Sequence, residues 1–501
     1  MAVQNTNNSQ SIPPVYTPPA PPPVVKPQGI EQPQANQPPS QAGVGFPGFV
    51  ATPKPKRGIF VKLLFFLIPL ILITSFVFYL IFTKKISLPG LETPFGEKTI
   101  RWWGLWEDES VILPLIAEYE EKNPNIKIKY LKQSKEDYRV RLDRSLSKGE
   151  GPDIFRIHNT WVPMFASYLD PLPSSVMSAT EYSQTFYPVI TRDMTLGRDL
   201  VGIPLGFDTL AMFINLDIFE SFAKSPPTTW DELKETAQQL TIKDKEGNIL
   251  SSGLAMGFTQ NVDHWQEILA LLMLQNGVKM SKPVGEDAEN ALKYFTYFAT
   301  VNKTWDSTLP PSTFMFANGK LAILFAPSWR AFEIDQINPK LRYKVYPVPQ
   351  IPKDNPGEAD VTYASYWVEG VWKQSKVKTE AWNFLKFLTS KESLQKLYEN
   401  ESKLRRFGEP YPRVDMASLI SSDPIAGAFV SQGNKAQSWY LASRTFDGDT
   451  GINTRINKYF EDAVNSVVAG TSPSAALQTA SLGVSQVLAD YGLIMAPPTK
   501  K

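Results

Sequence analysis

Two kinds of apolar pattern divide this chain. From Leu63 to Phe82, twenty consecutive residues (LLFFLIPLILITSFVFYLIF) carry no charge, and about 20 helical residues at ~1.5 Å each span a ~30 Å hydrocarbon core. Beyond Thr99 the apolar positions fall into short runs with the periods of strands and amphipathic helices. Thr99–Trp103 reads as a strand. Ser110–Lys122 places Val111, Ile112, Leu115, Ile116 and Tyr119 on one helical face and stops at Asn123-Pro124. Asn125–Leu131 alternates Ile126, Ile128 and Tyr130 with lysines, as a half-buried strand does. A charged helix over Glu136–Lys148 and a strand over Asp153–Ile157 follow. Strand, helix, strand, helix, strand predicts a mainly parallel sheet.

Further along, Val201–Leu205, Thr209–Asn215 and Leu321–Phe325 read as strands. Pro226–Gln239 opens a helix with Thr229 and Glu232 in capping-box spacing. Thr389 and Glu392 repeat that spacing after an amphipathic Thr379–Leu388, and Ile452–Leu488 is mostly helical by pattern. No 20–50-residue repeat is evident.

The long apolar run exceeds the 7–15 residues of a signal peptide, and no A-x-A-like site follows it, so it reads as a permanent anchor. Lys54, Lys56, Arg57 and Lys62 precede it against Lys84 and Lys85 after it. That bias places the N-terminus in the cytoplasm and the large domain outside, as a single-pass protein of the cell membrane. Residues 1–57 hold fourteen of the forty-two prolines and read as a disordered, Pro-rich tail, a spacer in preference to a docking motif for a Pro-reading domain. The expected organisation is tail 1–57, membrane helix 58–83 with residues 59–82 in the bilayer, linker 84–98 and large domain 99–501.

Net charge is +1 from 51 basic and 50 acidic residues, so nothing recommends a nucleic-acid partner. No cysteine is present, which excludes disulfides, a thiol nucleophile and a lipidated Cys. Only two histidines exist, and no H-E-x-x-H, Gly-x-Ser-x-Gly or P-loop occurs, so neither a metal nor another cofactor is expected, nor an enzyme. Asp447-Gly448-Asp449-Thr450-Gly451 lacks the other ligands of a calcium loop and reads as a surface turn.

Several segments together resemble one family. They are Trp102-Trp103-Gly104, the Glu118–Lys127 helix-to-strand junction, Gly149-Glu150-Gly151-Pro152-Asp153-Ile154-Phe155 and Gly202-Ile203-Pro204. Asn215-Leu216-Asp217-Ile218-Phe219, Pro227–Leu233, Phe316–Ile323 and Ala381–Ser390 complete the series. In this order, over most of 99–400, they resemble the extracellular solute-binding proteins of ABC importers, in the class that includes maltose-binding protein. The resemblance implies an α/β, two-lobed periplasmic-binding-protein type II fold behind the membrane helix and tail. Lobe 1 would take about 99–205 and 362–410. Lobe 2 would take about 208–360 and part of the C-terminal helices. Crossings are expected near Pro204–Asp208 and Val361–Tyr366. A polar solute, in particular a saccharide, would be held in the cleft for ABC permease subunits.

A sugar presents C–H faces to aromatic rings and hydroxyls to polar groups, so its site needs both types together. Where the family's strand ends meet the cleft, this chain has Trp103, Trp106 and Glu107; His158, Asn159 and Trp161; Phe207 and Asp208; Asn261, His264 and Trp265; Trp329 and Arg330; and Tyr366 and Trp367. Trp329, Trp161 and Asp208 lead this set, whereas Trp230 and Trp382 sit on helix motifs and read as core. Two rival functions also call for an exposed ligand-binding domain: a cell-surface glycoside hydrolase using two carboxylates, and a sensor or scaffold signalling through the helix to the tail.

Overall fold

The computed structural model describes residues 96–353 and 359–495, with Ser75 alone ahead of them. The expected tail, the membrane helix apart from Ser75, and most of the linker lie outside the described residues. Among the described residues no helix is long and apolar enough to cross a membrane.

The first sheet grows from the alternation at the start of the domain. Strand β1 (Lys98–Gly104), helix α1 (Glu109–Lys122), β2 (Ile126–Lys132), α2 (Tyr138–Ser147) and β3 (Ile154–His158) succeed one another. β1 lies between β2 and β3 and runs parallel to both. Ile100 and Trp102 on one face of β1 are fully buried, while Arg101 between them is exposed. β3 is buried at every position, as befits a strand covered on both faces, and it therefore carries Arg156 into the interior. At the last residue of β1 only glycine fits, because a Cβ on Gly104 would lie 2.4 Å from the Tyr130 ring; that ring's hydroxyl donates to the Glu107 carbonyl at 2.8 Å.

The second sheet takes the middle of the chain. It contains β4 (Ala211–Asn215), β5 (Ile249–Leu254), β6 (Leu321–Ala326) and β7 (Tyr343–Tyr346) in the order β7-β4-β6-β5, with Ile242–Lys243 at the β5 edge. β4 and β6 are central and wholly buried. Around them pack α3 (Trp230–Gln239), α4 (Trp265–Gln275), α5 (Glu286–Thr300) and α6 (Arg330–Ile337). The chain then returns to the first sheet as β8 (Trp367–Val371), antiparallel to β3. It continues through α7 (Lys378–Leu388), α8 (Lys391–Ser402), α9 (Ile452–Val468) and α10 (Pro473–Asp490). Helices α9 and α10 pack on each other and on α5. The fold is thus α/β with two lobes, one around each sheet.

Two antiparallel segments join the lobes. Ile203 and Glu369 exchange backbone hydrogen bonds at 2.9 and 2.8 Å, the Leu210 N–H donates to Tyr363 at 2.8 Å, and the Ser365 N–H donates to Asp208 at 3.1 Å. They coincide with the crossings anticipated at Pro204–Asp208 and Val361–Tyr366. Val201–Leu205 is no strand, however. It makes one bridge, Ile203 to Glu369, because Pro204 has no N–H to continue a ladder.

Local signals at helix ends read well with one slip. Thr229 and Glu232 form the reciprocal capping box of α3. At the other site Thr389 is the C-cap of α7, and Ser390 caps α8 by accepting from the Ser393 N–H. Trp230 and Trp382 are core, as expected; the Trp382 indole donates to Asp170 at 3.0 Å. Gly448, Asp449 and Thr450 are exposed, with a turn at Asp449-Thr450 as expected of that run, but Asp447 is not part of the surface. It is buried and accepts from the Asn453 N–H at 2.7 Å and the Thr454 hydroxyl at 2.6 Å, so its carboxylate caps α9.

Candidate functional site

Between the lobes, against the crossing segments, lies a cavity of about 380 Å³. Lobe 1 supplies Trp106 and Glu107 from the turn after β1, Lys135 from the turn after β2, Arg156 and His158 from β3, and Trp367 from β8. The crossings supply residues 206–210, Ser365 and Tyr366. Lobe 2 supplies His264 and Glu267 at the start of α4, and Pro327 and Trp329 after β6. Arg405, Glu409, Ser443, Arg444 and Phe446 complete the wall.

The rings form two groups. Trp106, 37% exposed, meets Trp367 edge-on with centroids 5.3 Å apart and leans on Phe446 at 6.3 Å. Across the cavity, Trp329 is half-buried and backed by the Arg330 guanidinium, whose carbon sits 4.5 Å from the ring centroid. This cation–π contact holds the indole on one side, and the His264 ring meets it edge-on with centroids 5.4 Å apart.

Four acidic side chains (Glu107, Asp208, Glu267, Glu409) and four basic ones (Lys135, Arg156, Arg405, Arg444) line the cavity, and two ion pairs join members of the two sets, Arg156 with Glu107 and Arg405 with Glu409. Arg156 bridges two acids: Nη1 donates to both Glu107 oxygens at 2.6 Å and Nε donates to Glu369 at 2.6 Å. The Trp102 indole donates to the other Glu369 oxygen at 3.0 Å. All three ionic side chains are under 5% exposed. Burial pushes the Glu369 carboxyl up, whereas the two acids hold Arg156 far above its ordinary value against desolvation. Asp208 accepts from the Thr209 N–H at 2.9 Å, the Ser328 N–H at 2.9 Å and the Ser328 hydroxyl at 2.8 Å. Burial raises its carboxyl far above the usual range, with the nearby Glu409 adding to the effect. It ties the first crossing to lobe 2. Gly206 lies beside Glu409, whose Cβ would be 2.9 Å from an added methyl.

Both histidines sit at the cavity in neutral form. Arg330 Nε donates to His264 Nε2 at 2.8 Å, so the His264 proton is on Nδ1, which faces the Ser443 hydroxyl at 2.9 Å. Burial lowers its basicity. Its backbone is left-handed, with φ at 62°, a strained state that clusters at functional sites.

His158 contacts the Thr160 hydroxyl at 2.7 Å and the Ser365 hydroxyl at 3.0 Å, and burial depresses its folded-state pKa to about 3 from the ordinary 6.5. Between those values the unfolded chain binds a proton that the folded chain refuses. The stability contribution is therefore complete above pH 6.5 and is lost as pH falls toward 3, about 2 kcal/mol by pH 5. His158→Gln should flatten the fall in urea midpoint between pH 6.5 and 5; an unchanged slope would refute this assignment.

Of the fifteen residues anticipated from sequence, nine line the cavity: Trp106, Glu107, His158, Phe207, Asp208, His264, Trp329, Tyr366 and Trp367. Six do not. Trp161 is fully buried behind Trp367, stacked near Phe165 at 5.9 Å. Trp103 is half-buried on the opposite face of β1 from Trp102. Asn159 is committed to Asp193 and to the Tyr366 N–H, and Asn261 to the Asp306 and Leu309 carbonyls and the Trp305 indole. Arg330 acts from behind Trp329, bonded to His264, Asp263 and Glu333. Trp265 faces a separate shallow groove along α9.

Sequence reasoning missed Arg156, Glu267, the Arg405–Glu409 pair and the 443–446 segment. Only Arg156 carried a signal, as a charge in the middle of an apolar strand. Among the described residues no cluster of His, Asp and Glu could hold a metal ion.

Residues 114–405 match the bacterial extracellular solute-binding proteins, and the chain belongs to that family. Its role is the capture of a solute outside the cytoplasm. A binding protein of Brucella abortus (strain 2308) is 25% identical over 294 residues, 57% of this chain and 70% of that one. The maltotriose-binding protein of Pyrococcus abyssi is 23% identical over 309 residues, 58% of this chain and 62% of its own. The sugar-binding protein MalE of Xanthomonas citri superposes with a TM-score of 0.63 at 19% identity, covering 78% of this chain and 98% of its own. A cyclo/maltodextrin-binding protein complexed with maltotetraose gives 0.62 at 18% identity, covering 80% and 98%. At these identities the structural likeness speaks to the fold.

Proposed function

We propose that the interlobe cavity binds a neutral saccharide and hands it intact to the permease of an ABC importer, with the large domain held at the outer face of the cell membrane by a helix at 58–83. One observation carries this reading: the cavity combines the indoles of Trp106, Trp329 and Trp367 with acids already held by partners, Glu107 and Glu409 by arginines and Asp208 and Glu267 by hydroxyl and N–H donors. A charged ligand would have to displace one of those partners, whereas a hydroxyl-rich neutral ligand needs only to share their remaining lone pairs and protons. The names of the relatives, maltotriose- and maltodextrin-binding, agree with this chemistry.

The glycoside hydrolase reading is disfavoured by the same partners. Its general acid must give a proton to the leaving oxygen, and its nucleophile must bring a free carboxylate oxygen to the anomeric carbon. Here Glu107 is bound to Arg156, Asp208 to Ser328, Glu267 to the Ser443 N–H at 2.6 Å, and Glu409 to Arg405 at 3.0 Å.

The test is a titration with maltotriose, maltotetraose and mannobiose, followed by Trp fluorescence and melting temperature, with product analysis alongside. Saturable stabilisation with intact sugar supports the reading. Released reducing ends would replace it with the hydrolase, and no response to any oligosaccharide would end it. Protease added to intact cells should remove the large domain; its survival would overturn the outward topology.

A further inference from the structure

The segment from Ser443 to Gly451 belongs to neither sheet and lies beyond the family match at 114–405. It touches both lobes. At one end the Ser443 N–H donates to Glu267 at 2.6 Å, its hydroxyl meets His264 Nδ1 at 2.9 Å, and Arg444 comes to 3.5 Å from Asp263. A few residues on, the Phe446 ring leans on Trp106 and lies under the Lys135 ammonium at 5.2 Å. Arg139 of α2 then donates through Nε to the Asp447 carbonyl at 2.8 Å and through Nη2 to the Thr450 hydroxyl at 2.6 Å. The far end is pinned because Asp447 caps α9. Between the two attachments Arg444 and Phe446 both have left-handed backbones, with φ at 54° and 55°. Non-glycine residues take that conformation at a cost and keep it where surrounding contacts impose it.

We propose that residues 443–447 form a strap that spans the two lobes beside the ligand, with Phe446 contributing a further ring to the binding site and Arg139 acting as the positioning residue that holds the strap to lobe 1. The proposal rests on the reading of this cavity as the ligand site. Separation of the lobes must break one attachment. At the Ser443 end the partners Glu267 and His264 are buried, whereas the Arg139–Thr450 contact is exposed and open to competition from water. The Arg139 end is therefore the one that lets go during ligand exchange. Arg139 does not line the cavity, so its removal tests the strap without altering the ligand's surroundings.

The experiment uses the full chain in mild detergent, with whichever of maltotriose, maltotetraose and mannobiose binds tightest as probe. Arg139→Ala should speed release about tenfold in stopped-flow Trp fluorescence while the on-rate changes little, the loss of two charge-assisted hydrogen bonds being sufficient for that. Phe446→Ala should weaken binding about tenfold and Phe446→Tyr should restore it. In the ligand-free protein, Arg139→Ala should accelerate amide exchange in residues 444–451 and leave α9 unchanged. Equal release rates and equal exchange in the variant would overturn the strap. If the wild-type chain binds none of the sugars, the saccharide reading falls, and the exchange measurement alone then decides whether the strap exists.

Discussion

Arg156→Ala is expected to remove about 3–5 kcal/mol of folding stability, the typical cost of breaking a buried ion pair by deleting one partner. Against a usual total of about 5–15 kcal/mol, that is enough to bring the domain near its unfolding midpoint under mild denaturant. The reason lies in what remains. Glu107 and Glu369 would face each other with no cation between them, and Glu369 has no exposed side-chain surface to rehydrate. Urea titration of wild type and variant at pH 7 reads the difference directly.

The variant also has a pH signature. Without the arginine the Glu369 carboxyl, already raised by burial, rises further above its unfolded value, so the protein is stable with it protonated and loses that stability as pH rises through the folded pKa. The gap between variant and wild type should therefore narrow on acidification toward pH 4.5. Substitution of all three residues together (Arg156→Met, Glu107→Gln, Glu369→Gln) should cost far less than the single change, since no charge is then left unpaired. A single-variant loss below about 1 kcal/mol would show that water reaches the triad, and the account of its buried ion pairs would need revision.

The fold was legible wherever a local period coincided with a lobe's own sheet. β1, α1, β2, α2 and β3 declare themselves by alternation and stop signals, and the capping box at Thr229 marks α3 to the residue. What failed was the reading of orientation. Trp161 and Trp329 look alike in sequence, each an indole shortly after a buried strand. One folds back under Trp367 and the other projects into the cavity, a difference set by tertiary packing that no period encodes. The amides Asn159 and Asn261 misled for a related reason: a loop near a site needs polar groups to satisfy its own backbone, and these two are spent on that. The 443–446 segment was invisible because its route between the lobes depends on left-handed residues and on contacts hundreds of positions away. Its neighbours in sequence, the Asp447–Gly451 run, read as a surface turn, which describes Gly448–Thr450 but not the buried Asp447 that caps α9.

The same contrast supplies the sharpest functional result. Trp329→Ala should weaken binding of the best saccharide by roughly 30- to 1,000-fold, about 2–4 kcal/mol, the scale of an aromatic hot spot in a desolvated pocket. It should leave the melting temperature of the empty protein nearly unchanged, because the indole is only half-buried and the Arg330 beneath it keeps its bonds to His264, Asp263 and Glu333. Trp161→Ala should do the reverse, removing about 3–5 kcal/mol of stability by opening a cavity in the core. Its effect on affinity would come through loss of the support under Trp367, 5.3 Å away, and should be recovered in part by a Phe at 161. Isothermal titration and thermal melts of the two variants, taken side by side, separate the roles. If Trp329→Ala binds as tightly as wild type, the ligand does not stack on lobe 2, and the two groups of indoles are not the opposed faces of one site.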